Sequence, residues 1–164
     1  MRDDPYDFNA QVKEGKKGEA LLDEYYSEWC EITRADKDQE QKGIDRFYVT
    51  YASGRHWSIQ YKTDFMSQRT GNMFVETVSV DTTDTPGWAY TCTAKALIWL
   101  RYYEGEMLVM QPEALRHYLP EWKQKYRIVP VQNEDYRTIG VLVPLGVIRH
   151  ISRWTGMLPK DMRP

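Results

Sequence analysis

The run Gly43–Asp64, GIDRFYVTYASGRHWSIQYKTD, limits what this chain can fold into more than any other stretch. β-Branched and aromatic residues crowd Ile44–Tyr51. Turn formers follow at Ala52-Ser53-Gly54-Arg55, and a second run, Trp57–Asp64, alternates. That pattern predicts a β-hairpin. Strand side chains have period two, so Trp57, Ile59 and Tyr61 take one face and Ser58, Gln60, Lys62 and Asp64 the other. Pairing outward from a tight turn carries Asp45, at the head of the first strand, to Gln60 and Lys62.

These residue types suit a hard divalent cation. Mg²⁺ takes oxygen ligands, commonly one or two protein carboxylates, and keeps several waters. Asp45 offers a carboxylate, Gln60 its amide oxygen and Tyr61 its peptide carbonyl. Lys62 beside them could orient a water or stabilise negative charge building on a phosphate.

Gly43-Ile44-Asp45 is followed by Gln60-Tyr61-Lys62, and Gly18-Glu19 stands upstream at the head of an expected helix. Glutamate, GID, hairpin and QxK in this order resemble the PD-(D/E)XK nuclease superfamily, more narrowly its Mrr-like branch. The resemblance covers roughly residues 16–64 and the rest in outline. It implies an α/β fold with a restriction-endonuclease-like αβββαβ core. In that fold a mixed central sheet is flanked by helices, here with a C-terminal β/α extension. It also implies a Mg²⁺-dependent deoxyribonuclease, an endonuclease by expectation, that accepts Mn²⁺ as a substitute. Glu19, Asp45, Gln60 and Lys62 are then its catalytic set, with Asp45, Gln60 and Tyr61 holding the metal. Ile44 replaces the proline of the superfamily pattern, and Gln60 replaces an acidic ligand, so this site has one fewer negative charge. Taken alone, Glu19 is an acid near a helix N-terminus, favoured there by the helix dipole.

The chain has 164 residues and a net charge of −2, which suggests one domain over 1–164. A nonspecific nucleic-acid binder is usually strongly basic. DNA binding must therefore use a local patch, for which Lys17, Arg34, Lys42, Arg46 and Arg69 are the candidates. Lys42 and Arg46 flank Asp45, where they serve either as phosphate contacts or as a solvated strand end. Cys30 and Cys92 form no CxxC and read as buried free thiols, which suits a reducing compartment. His56, His117 and His150 lack zinc spacing. No signal pattern and no membrane-length apolar run is visible, so a cytoplasmic protein without a membrane partner is expected. A homodimer is compatible with all of this.

Along the rest of the chain, residues 1–14 read as a loose arm and Glu19–Trp29 as a helix with Leu21, Leu22, Tyr25, Tyr26 and Trp29 on one stripe. Strands are expected at Cys30–Ala35, Met73–Val80, Met107–Met110, Tyr126–Val131 and Thr138–Val143. Helices are expected over Thr93–Tyr103, from Pro112 to just before Pro120, and from Pro144; 156–164 reads as a tail. Glu76 lies on an otherwise apolar strand face and needs a partner: a metal, Lys62 or an arginine. Trp88 follows the loop DTTDTPG, either packed beneath it or stacking on bases.

No P-loop, dinucleotide fingerprint or nucleophile arrangement stands out. Three functions stay open. One is the nuclease. The second is a non-catalytic nucleic-acid-binding or structural protein on a nuclease-like scaffold, which the loss of an acid at Gln60 would favour. The third is an ordinary half-solvated sheet with coincidental polar residues.

Overall fold

A computed structural model describes residues 8–164, with side chains from residue 13 onward. The protein is α/β: a mixed six-stranded sheet, a separate antiparallel four-stranded sheet, and helices.

Helix α1 (Phe8–Tyr26) leads into an antiparallel meander of β1 (Cys30–Arg34), β2 (Arg46–Thr50) and β3 (His56–Asp64), with the short helix α2 (Lys37–Glu40) between the first two strands. Arg46 pairs with Ile59 and Val49 with His56, so the hairpin turns where the Ser-Gly signal lies. After β3 come α3 (Ser67–Thr70), β4 (Asn72–Val80), β5 (Thr85–Pro86) and α4 (Trp88–Thr91). The chain then returns as β6 (Ala96–Arg101), parallel to β3. β7 (Glu106–Met110) follows antiparallel to β6. Beyond α5 (Pro112–Lys125), β8 (Ile128–Gln132) and β9 (Arg137–Pro144) join β4 and β5 in the second sheet. Helix α6 (Leu145–Ile151) then leads to β10 (Trp154–Met157), which closes the far edge of the six-stranded sheet against β7.

Period two sorts the six-stranded sheet into two cores. Tyr48, Ile59, Tyr61, Ile98 and Leu100 face α1, where Leu22 is completely buried. Leu97, Trp99, Leu108 and Met110 face the other way, onto Met73, Val75, Val141 and Val143 of the second sheet and Leu115, Leu119 and Trp122 of α5. Removing this much apolar side chain from water is the main force holding the layers together. Gly18 sets how close α1 approaches: a Cβ there would fall 2.0 Å from the Thr63 hydroxyl.

The structure corrects several expectations. Thr93–Tyr103 is not a helix; its centre is β6, with all six residues buried. A strand covered on both faces does not alternate, and a short apolar run reads equally as helix or strand. Helix α5 continues through Pro120 to Lys125. The burial of Leu115, Leu119 and Trp122 on one stripe offsets the hydrogen bond that proline cannot make. α1 starts earlier than expected and ends before Trp29, so residues 8–14 of the expected arm are helical; 1–7 lie outside the described residues. In the expected tail, Gly156 and Met157 belong to β10 and Leu158 is completely buried.

Glu106 ties β7 to α6 and β6. Its carboxylate accepts from Arg149 at 2.7 and 2.8 Å and from the buried Arg101. The Arg149 hydrogen bond, outweighing partial burial, holds Glu106 below the ordinary glutamate range, with Arg101 adding to it. A depressed carboxylate stabilises the fold above its unfolded value, about 4.3, and the contribution disappears as pH falls through the lower folded value. Glu106→Gln should therefore destabilise clearly at pH 7, and its deficit against the parent should shrink below about pH 4 in urea unfolding. A deficit that grows on acidification would refute this assignment.

Candidate functional site

Asp45 sits where β2 begins and its ladder with β3 ends. Its amide still reaches the Ile59 carbonyl at 2.8 Å, and its carboxylate then accepts the Tyr61 amide at 2.7 Å. The side chain thus replaces the next rung of the ladder. A strand residue's N–H and C=O project to the same side, so the Tyr61 carbonyl also faces the gap beside Asp45. The Tyr61 ring points away, into the α1 core, where its hydroxyl meets that of Tyr48 and donates to the Asp23 carboxylate at 3.1 Å.

Gly43 makes this corner possible. Its φ is +72°, a conformation that side chains resist, and an added Cβ would fall 2.8 Å from the Cys92 Cα. The segment leading to β6 is pressed against this corner. The Lys42 carbonyl accepts from the Thr93 amide and hydroxyl, and the Cys92 thiol reaches the Gly43 carbonyl at 3.5 Å. Cys30 and Cys92 are both buried free thiols.

Gln60 lies against this turn, 5% exposed, and its Oε1 is buried without a hydrogen-bond partner among the described residues. Lys62, on the same strand face, is half-buried, with its ammonium 5.4 Å from the centre of the Trp88 ring. Burial pushes the Asp45 carboxyl above its ordinary range; the Tyr61 amide and Lys62 pull it down, and Glu19 pushes it up. Burial likewise raises Glu76, against the pull of Lys62 and the Trp88 amide. Asp45 and Glu76 are therefore two desolvated carboxyls that both feel Lys62, Asp45 also feels Glu19, and Gln60 packs against the turn that leads to Asp45.

Glu19 is engaged by a neighbour. Its Oε2 accepts from Arg46 Nη2 at 2.9 Å. Arg46, 3% exposed, also reaches Asp23 at 2.9 and 3.1 Å and the Asp45 carbonyl at 2.9 Å. Arg46 thus faces α1 and is removed from the basic rim on which it was expected. Lys17, Arg34, Lys42 and Arg69 are all exposed. Lys42 and Arg34 flank Asp45 along the chain and across the ladder, where the Ala35 amide bonds the Asp45 carbonyl. Lys17 lies two residues from Glu19, on a different face of α1, and Arg69 lies on α3 beyond the end of β3.

Sequence reasoning missed Asp23 as the anchor of Arg46, although its place four residues after Glu19 puts both on one helix face. Trp88 is packed, 9% exposed and against Trp99, rather than presented on a loop. Among the described residues no three His, Cys, Asp or Glu side chains converge as a metal cage. A cation here would have to use Asp45 with the neutral oxygens of Gln60 and Tyr61. Among the described residues no helix is long and apolar enough to cross a membrane. The chain matches no protein-family model, no curated protein and no solved structure.

Proposed function

We propose that this protein is a Mg²⁺-dependent nuclease that hydrolyses DNA phosphodiester bonds, on a restriction-endonuclease-like core. The observation that carries the reading is the Gln60 Oε1 atom, an acceptor buried without a donor among the described residues, on a side chain packed against the turn that leads to Asp45. A buried acceptor left unpaired is costly, and a cation with its waters would satisfy it. The path supports the fold: one helix, an antiparallel meander, a crossover, then a strand parallel to β3. The crossover differs from the expected core, since it carries β4, β5 and two four-residue helices rather than a long helix.

Asp45, Gln60 Oε1 and the Tyr61 carbonyl would hold the ion. A Mg²⁺ there would supply a Lewis acid and a water of lowered pKa. Asp45 keeps its orientation through the Tyr61 amide. Lys62 brings a cation to the same corner, where it would meet the charge that builds on phosphate oxygens. Exposed Lys42 and Arg34 would position the backbone of the nucleic acid.

The second reading, a non-catalytic binding protein on the same scaffold, is favoured by the Arg46 bond to Glu19, which takes one of the two expected acids, Glu19 and Asp45, away from the metal. One experiment separates the two. Labelled duplex, branched and single-stranded DNAs and RNAs are incubated with Mg²⁺ or Mn²⁺ and with parent or Asp45→Asn protein. The nuclease reading expects metal-dependent cleavage of a DNA by the parent, and loss of it in Asp45→Asn. It also expects Mn²⁺ to raise the melting temperature of the parent alone, because a ligand that binds the native state stabilises it. No cleavage of any substrate by the parent, or equal cleavage by Asp45→Asn, would overturn it.

A further inference from the structure

The detour between β3 and β6 ends on Lys62. β4 carries Glu76 at half burial, and the turn at Gly87 is pressed onto it. The Gly87 amide donates to the Thr77 carbonyl at 2.9 Å, and a Cβ on Gly87 would lie 2.6 Å from the Glu76 carbonyl oxygen and 2.8 Å from its Cγ. Only a glycine lets the two segments approach this closely. The next amide, that of Trp88, donates to Glu76 Oε1 at 3.2 Å and so fixes the carboxylate. The Trp88 indole is itself fixed, wedged against Trp99 in the core between the sheets. Lys62 Nζ lies over this indole, 5.4 Å from its centre, and its charge is felt by both the Glu76 and the Asp45 carboxyls.

A lysine stem has four rotatable carbons and its ammonium is a point charge, so nothing intrinsic aims it. A desolvated aromatic face attracts a cation, and a rigid carboxylate beside it removes the remaining freedom. We propose that Glu76 and Trp88 form a saddle that holds the Lys62 ammonium at the Asp45–Gln60 corner, Glu76 being a positioning residue that acts through Lys62. The role in turnover rests on the nuclease reading; the saddle does not.

Two measurements test this. Reductive ¹³C-methylation of lysines leaves their charge in place and gives each an NMR signal; that of Lys62 is the one lost in Lys62→Arg. The indole ring current should displace it from the signals of exposed lysines. Trp88→Leu should return it toward them, and Glu76→Gln should move it while Glu76→Asp leaves it near the parent position. In cleavage, Glu76→Gln should lower kcat about tenfold, the scale of one lost electrostatic contact, with KM within about twofold and partial recovery in Glu76→Asp. Should Trp88→Leu fail to fold, Glu76→Gln, which keeps the shape and the Trp88 amide bond, decides alone. A Lys62 signal among those of exposed lysines, or unmoved by Glu76→Gln, overturns the saddle. The expected signals in a protein that cleaves no DNA support the saddle and overturn the nuclease. Parent cleavage with an unchanged kcat in Glu76→Gln overturns the positioning role and leaves the nuclease standing.

Discussion

Lys62→Ala should leave DNA binding within about threefold of the parent and lower cleavage about 10²–10³-fold, the usual loss when one transition-state donor is removed. The asymmetry follows from where Lys62 sits. It is half-buried at the Asp45 corner, not on the exposed rim of Lys42 and Arg34, so it adds little to a phosphate-dominated encounter. Its charge acts where negative charge grows during the reaction. Lys62→Arg should rescue poorly, because a planar guanidinium is larger than the ammonium seated over Trp88 and spreads its charge. The fold should survive, although Asp45 and Glu76 both lose a cation that now offsets part of their burial. Circular dichroism at the assay temperature checks that rates refer to folded protein. Equal single-turnover rates for parent and Lys62→Ala, with contaminating nuclease excluded, would sink the mechanism.

How far the sequence alone leads is clearest at particular residues. The hairpin was legible because its signals are local: a Ser-Gly turn, β-branched residues before it and strict alternation after it. The side-chain facing of Tyr61 and Lys62 followed from period two without any tertiary knowledge. β6 was not legible, because it is buried on both faces and its pattern carries no period. Nor was the membership of β4 in a second sheet, since its partner β9 lies some sixty residues downstream and is reached only after four further strands. At the site, the choice of Asp45, Gln60 and Lys62 came from spacing. The inward turn of Arg46 could not, because exposed and buried arginines look alike in a sequence and its partner Asp23 lies on another element. The flag on Glu76 was a matter of chemistry, an acid among Phe74 and Val78, and that oddity leads to Lys62.

Arg46→Met should destabilise the protein by roughly 2–4 kcal/mol, near the lower end of what breaking a buried ion pair costs, since the acids it serves keep some contact with water. For a chain of this size that is a fall in melting temperature of about 5–15 °C. The guanidinium satisfies Glu19, Asp23 and the Asp45 carbonyl at once, and burial would disfavour its charge were the Asp23 and Glu19 carboxylates not there to hold it. Methionine fills much of the volume but leaves two carboxylates facing each other beside a buried tyrosine pair. Neutralising them should therefore restore part of the loss, and Arg46→Met with Asp23→Asn and Glu19→Gln should be more stable than Arg46→Met alone. An arginine on a phosphate-binding rim would behave in the opposite way. Its loss would leave the melting temperature unchanged, weaken DNA binding and reduce the salt dependence of binding by about one counterion. Thermal melts of the single and triple variants, beside a salt titration of DNA binding, separate the two placements. An unchanged melting temperature with a shallower salt slope would put Arg46 back on the rim.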